Sequence, residues 1–179
     1  MMNITPEMIS FFYGRTDRHI QLVIKNAARL VLHNERKYQG LMLQTQDHDQ
    51  SKYASKERLP YIVLTWEKYC ENNIPFNVDE AMKKRIKTAI FHHIKHNRHH
   101  PECHDSKFRT HSEVVNGTKM LDLDLHEMVC DWMAMGQELQ TDTEEYANKV
   151  IGSKFIFSDK QVELIHKDIS ILKNMTEEI

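Results

Sequence analysis

Six of the fourteen residues in "FHHIKHNRHHPECH", Phe91 to His104, are histidine, out of 12 in the whole chain. Imidazole ligates transition metals, exchanges protons near neutrality, and needs partners for both ring nitrogens when buried. A second stretch, "DHDQSK" at Asp47–Lys52, sets His48 beside Asp49. An imidazole and a carboxylate together suit zinc, manganese or iron. A His-Asp pair also arises often by chance, and a polar turn is the bland alternative. Two more residues stand on helical patterns: His33, at the edge of an apolar stripe, and Asp131 in "HEMVCDWM". Asp124 and Glu127 share the flank of Asp131. Such an acidic column is commonly a solvated helix face, but it is also where a ligand from a helix bundle sits.

Helical phase divides the histidine stretch. His92, His96 and His99 share one face, while His93, Asn97 and His100 continue the face of Met82, Ile86 and Ala89. The inward face therefore changes from apolar to imidazole and amide toward the helix end. His93 is expected inward, with a hydrogen-bonded core histidine as the bland alternative. His92, His96 and His104 are expected at the surface. Either His99 or His100 is expected to turn inward where Pro101 ends the helix.

The elements that must position these side chains are helical. Apolar residues recur at three- and four-residue intervals from Arg18 to about Gln44, from Val78 to about His99, and from Lys119 to Leu139. A shorter helix is expected at Tyr61–Glu71. A last one follows Ser158, where "SDKQ" resembles a capping box, and runs to about Lys173. "KFIF" at Lys154–Phe157 is the one β-like run, and Asn116-Gly117 marks a turn. The expectation is an all-α fold: a single compact helical domain of about five to seven helices over residues 1–179. Its metal-site core would span about 30–132, with a C-terminal helical extension over about 140–179. Trp66, Tyr69, Phe108 and Trp132 are expected to fill the core rather than line a pocket.

Composition narrows the function classes. With 40% hydrophobic and 28% charged residues, and five glycines and four prolines, the chain suits a soluble globule without long linkers. A net charge of −2 gives no basic field for nucleic acid. The run Lys83, Lys84, Arg85, Lys87, Lys95 and Arg98 reads as a solvated helix face. No segment approaches the roughly 20 apolar residues of a membrane span. The N-terminus lacks the order of a signal peptide. Cys70, Cys103 and Cys130 are far apart and read as reduced thiols. A cytoplasmic protein is expected.

The ordered set His33, His48-Asp49, His93, His99 or His100, and Asp131 resembles the HD-domain superfamily of metal-dependent phosphohydrolases. "HDQSK" continues the pair with a small residue and a lysine, as many members do, here Ser51 and Lys52. More closely, "HDQSK", "HHIKHNRHHPE" and "EMVCDW" look like a group of uncharacterised phage and bacterial proteins with an HD-like pattern. The spacing from His33 to His48 is short for the superfamily. The loop from His104 to Lys119 has no obvious counterpart there.

The resemblance implies an HD-like fold and a ligand set. His48 and Asp49 would anchor a first divalent ion, completed by His33 and Asp131. Asp49 would bridge to a second ion held by His93 and by His100 or His99. The ions implied are manganese, zinc, cobalt, iron or magnesium. Lys52, Asn97 and His99 would contact a substrate phosphate, and His99 would serve the leaving oxygen. The substrate implied is a small phosphomonoester or phosphodiester, a nucleotide by analogy of fold. Two other readings use the same residues: an HD-like di-iron oxygenase, and a non-catalytic helical accessory or binding protein. Convergence of His48, Asp49, His93 and Asp131 discriminates, because without it both enzyme readings collapse.

Overall fold

A computed structural model describes residues 3–70, 76–109 and 114–175. In chain order the elements are α1 (Pro6–His33), α2 (Leu41–Thr45), a 3-10 turn at Gln50–Tyr53, α3 (Arg58–Cys70) and α4 (Glu80–His96). Then come α5 (Pro101–His104), β1 (Val115–Asn116), α6 (Asp122–Leu139), α7 (Thr143–Val150), β2 (Phe155–Ile156) and α8 (Asp159–Asn174). The all-α reading holds. Glu71, the expected end of the third helix, lies outside the described residues.

α1 is the spine of the molecule, and it begins three turns before the expected start at Arg18. Thr5 caps it, Pro6 occupies its first turn with a φ already suited to a helix, and Glu7 faces its positive end. Its inward stripe is Phe12, Thr16, His19, Val23, Asn26 and Leu30, all buried. These recur at four- and three-residue steps, but three are polar, so apolar spacing alone does not register the early turns. The expected continuation to Gln44 is broken after His33. The Asn34 side chain accepts from Lys37 N at 3.0 Å, and Gly40 turns the chain at φ 88, a left-handed conformation that favours glycine.

Two apolar clusters pack along α1. One joins its N-terminal turns, through Met8 and Phe12, to Tyr61, Ile62 and Val63 of α3 and Met82, Ile86 and Ala89 of α4. The other, larger, joins Val23, Ala27 and Leu30 to α6 and to Ile165, Ile169 and Leu172 of α8. His19 falls between the two on α1, and His93 falls between Ala89 and Ile94 on α4. The buried polar groups of the candidate site thus occupy the seam between two cores.

The C-terminal segment is built into the second core. Ser158 and Gln161 form the expected capping box on α8. Buried Asp168 of α8 accepts from Tyr38 Oη at 2.7 Å and Lys37 Nζ at 3.1 Å, and also bonds His126 of α6. "KFIF" does pair: β2 lies parallel to β1, with Val115 opposite Phe155 and Asn116 opposite Ile156. Gly117 allows this approach, since a Cβ there would lie 2.4 Å from Phe157 Cε1. No described helix is long and apolar enough to cross a membrane.

Candidate metal centre

The 3-10 turn places Asp49. This residue holds φ 58 and ψ 8, left-handed values that cost an L residue roughly 1 kcal/mol or more, least for Asn and Asp. It is 1% exposed. The turn aims the two carboxylate oxygens at two different sets of imidazoles.

Toward Oδ2 stand His19 Nε2 at 3.8 Å and His48 Nε2 at 3.7 Å. Asp131 closes this side: its Oδ1 lies 2.9 Å from His19 Nε2 and 3.7 Å from His48 Nε2. Toward Oδ1 stand His93 Nε2 at 3.0 Å and His99 Nε2 at 3.7 Å, and the His100 ring lies 5.0 Å from that of His93. Ligand atoms of His93, His99 and His100 lie within 4.8 Å of one another, as do those of His19, His48 and Asp131. His48, Asp49, His93 and Asp131, on which both enzyme readings depend, therefore converge.

Behind the imidazoles lies a ring of glutamates. Glu127 Oε1 is 2.9 Å from His48 Nδ1 and 3.3 Å from His99 Nδ1. Glu57 Oε2 is 3.0 Å from His93 Nδ1, and Glu138 Oε2 is 3.6 Å from His19 Nδ1. An ionised carboxylate only accepts, so Nδ1 of His48 and of His93 carries a proton and Nε2 is the nitrogen turned to the centre. This carboxylate–imidazole arrangement is the usual support of metal-ligating histidine.

Burial disfavours ionisation of Glu127, yet His48 and His99 hold it down at about 2. Asp49 is likewise opposed by burial, but Lys52, His48 and His93 hold it well below the usual carboxylate range. Burial lowers His19, while its hydrogen bond to the Asp131 carboxylate and the nearby Glu138 carboxylate outweigh it and raise the ring to about 9. His99 and His100 are pushed down, first by burial and then by the neighbouring imidazoles. Both are neutral near pH 7, the form a metal ligand needs.

These side chains can hold a metal ion. His48 Nε2, Asp49 Oδ1 and His100 Nε2 are buried without a hydrogen-bond partner among the described residues. Leaving each unsatisfied costs about 1–3 kcal/mol, which a coordinated ion would offset. The 3.0 Å between His93 Nε2 and Asp49 Oδ1 lacks hydrogen-bond geometry and matches two donors about 2.1 Å from one ion. Imidazole and carboxylate suit several transition metals, and nothing in the donor set selects one.

Several expected residues sit elsewhere or act differently. His33 is exposed at the C-terminal end of α1, and His19 stands where it was expected. Helical phase fails for His99 and His100 because α4 ends at His96 and the chain turns before Pro101, so both point inward. Neutral His99 is suited to ligation rather than to proton donation. The Asn97 NH2 donates to Ser51 Oγ at 2.9 Å and His93 O at 2.7 Å, which braces the turn, while the residue also lines a cavity beside His99. Lys52 Nζ pairs with Asp49 Oδ2. His92 is not a surface residue alone: it bonds Glu57 at 2.6 Å. His104 packs against Arg98 O at 2.8 Å, whereas His96 is exposed. Asp124 and Glu127 are buried rather than solvated. Trp132 and Phe108 are buried, yet both also line cavities, and Tyr69 is 45% exposed.

A family model matches residues 8–176. The chain belongs to the family of unknown function DUF5662. No curated protein and no solved structure matches it. The DUF5662 match begins in the early turns of α1 and so takes in His19, which the 30–132 core leaves out.

Proposed function

We propose that this protein is a metal-dependent phosphohydrolase of the HD type, acting on a nucleotide or another small phosphate ester. The observation that carries the reading is Asp49, whose two oxygens face two separate imidazole groups. The chain order His19, His48-Asp49, His93, His99, His100, Asp131 supports it further, since His19 restores the longer first interval that His33 lacked. His19, His48, Asp49 and Asp131 would hold one ion; Asp49, His93, His99 and His100 would hold another. Bound ions would supply Lewis acidity toward phosphate oxygens and bring the pKa of a water to about 7.

The chain's own groups supply orientation. Glu57 and Glu127 fix the tautomer and angle of the ligating rings. Lys52, whose side chain is 19% exposed beside Asp49, is placed to offer its charge to a phosphate once Asp49 engages an ion. In the net reaction water oxygen bonds to phosphorus, the P–O bond to the organic group breaks, and the alcohol leaves with the proton that water gives up.

The test is metal content of the purified protein together with hydrolysis of a panel of nucleotides and p-nitrophenyl esters. We expect one or two ions per chain and metal-dependent phosphate release, both lost in Asp49→Asn. Two irons with a visible absorption band and no phosphate release would instead favour the di-iron oxygenase, for which the imidazole-rich donor set is also suited.

A further inference from the structure

Two cavities reach the candidate centre, and they differ in character. One, of about 460 Å³, opens beside His99 and Glu127 and is lined by Gln44, Asp47, Asn97 and Arg98. The other, of about 320 Å³, lies between α4, α6 and α7 and ends on His100 and Asp131. Its walls are Ile94, Trp132, Met135, Tyr146 and Phe155. The Trp132 ring stands edge-on to Tyr146 at 5.2 Å and stacks with Phe155 at 6.2 Å. Lys154 Nζ sits 4.6 Å over the Phe155 ring. Leu139 and Tyr146, 59% and 40% exposed, form part of the lining.

We propose that this second cavity binds the organic part of the substrate, and that this part carries one flat ring system of nucleobase or aryl size. The inference rests on the hydrolase reading for the phosphate and on the cavity itself for the ring. The inner end supplies His100 and Asp131, so a group seated here adjoins the reacting centre. Aromatic walls favour a ring by offset stacking and edge contacts. The volume lies at the small end of ligand sites, which run about 300–1,000 Å³, so it fits one ring system rather than a dinucleotide. Met135 offers an adaptable surface at its side.

The experiment compares binding of methyl phosphate, octyl phosphate, phenyl phosphate and a nucleoside monophosphate to the metal-loaded protein, followed by Trp132 fluorescence. Metal content of the same sample reads the hydrolase proposal separately. A ring-bearing ester should bind about tenfold or more tighter than methyl phosphate, as expected for burying a phenyl-sized group. The nucleoside and phenyl arms then tell a base from a simple aryl group. Tyr146→Ala and Leu139→Glu, both at exposed positions, should collapse that ratio while metal content stays full. In metal-stripped protein, phenol should shift the NMR signals of the Met135 methyl and the Trp132 ring. Equal binding of methyl and phenyl phosphate at full metal content overturns the proposal. So does tighter binding of octyl phosphate than of either ring-bearing ester, or the absence of phenol shifts.

Discussion

Glu127 Oε1 lies 2.9 Å from His48 Nδ1, on the side of the ring opposite Asp131. That contact, buried on both sides, decides which nitrogen of His48 faces the centre. Glu127→Gln keeps the shape but removes the obligatory acceptor, so the amide can present its NH2 and admit the wrong tautomer. Metal affinity should fall about 10–100-fold, with the fold intact by circular dichroism. An unchanged metal dissociation constant would remove Glu127 from the site.

Asp49 is the residue both imidazole groups share, and its left-handed backbone complicates the obvious test. Alanine would add backbone strain to the loss of the carboxylate. Asn tolerates φ 58 nearly as well as Asp, so Asp49→Asn isolates the charge. Metal content should drop to background, a larger loss than for any residue behind the ligands. Retention of both ions and of activity defeats the dinuclear reading.

His19 and His33 give a paired comparison on one helix. His19→Ala should abolish binding of one ion. His33→Ala, at an exposed position, should change stability by no more than about 0.5 kcal/mol and leave metal content alone. Elemental analysis of the two variants side by side decides between them.

Protons should leave when metal enters. The His19 ring is raised to about 9 by Asp131 and Glu138, and His93 is raised too, by Asp49 and Glu57, in each case against the opposing effect of burial. A raised folded pKa means that the charged pairing of His19 contributes fully below its ordinary 6.5 and is lost as pH rises through about 9. A metal needs the deprotonated ring, so metal affinity should climb with pH across that window. Calorimetry at pH 7.5 in two buffers of different ionisation enthalpy should show release of about one proton or more per chain.

Away from the centre, Asp168 ties α8 to α1 and α6. Burial raises its carboxyl, but His126, Tyr38 and Lys37 outweigh this and lower it. With a depressed folded pKa, its stabilisation is present above about 3.9 and fades as pH falls toward the folded value. Asp168→Asn should cost about 1.5–3 kcal/mol at pH 7. The gap in melting temperature between wild type and variant should narrow below pH 4. A gap constant from pH 7 to pH 3 would show that the charge of Asp168 contributes nothing.

Much of the helical framework and the anchor of the site were readable from local pattern. The capping box of α8 and the stripes of α4 and α6 are short-range signals, and His48-Asp49, His93 and Asp131 stand near them. His19 was legible in principle. It sits in the middle of the Phe12, Thr16, Val23, Asn26, Leu30 stripe, and a histidine on that line is more informative than His33 at its edge. Glu57 was not legible, because its role comes from α3 and α4 meeting in space. The inward turn of both His99 and His100 depends on where α4 stops, and an error of about two residues in a helix end reverses a side chain's direction.

One long helix carries members of both apolar clusters, with His19 between them. Among the described residues, the two halves are therefore joined along one shared axle. Ligands would have to thread in from the flanks, past Tyr146 on one side or Arg98 on the other. Access to the centre would then depend on how single side chains such as Tyr146 and Arg98 are set.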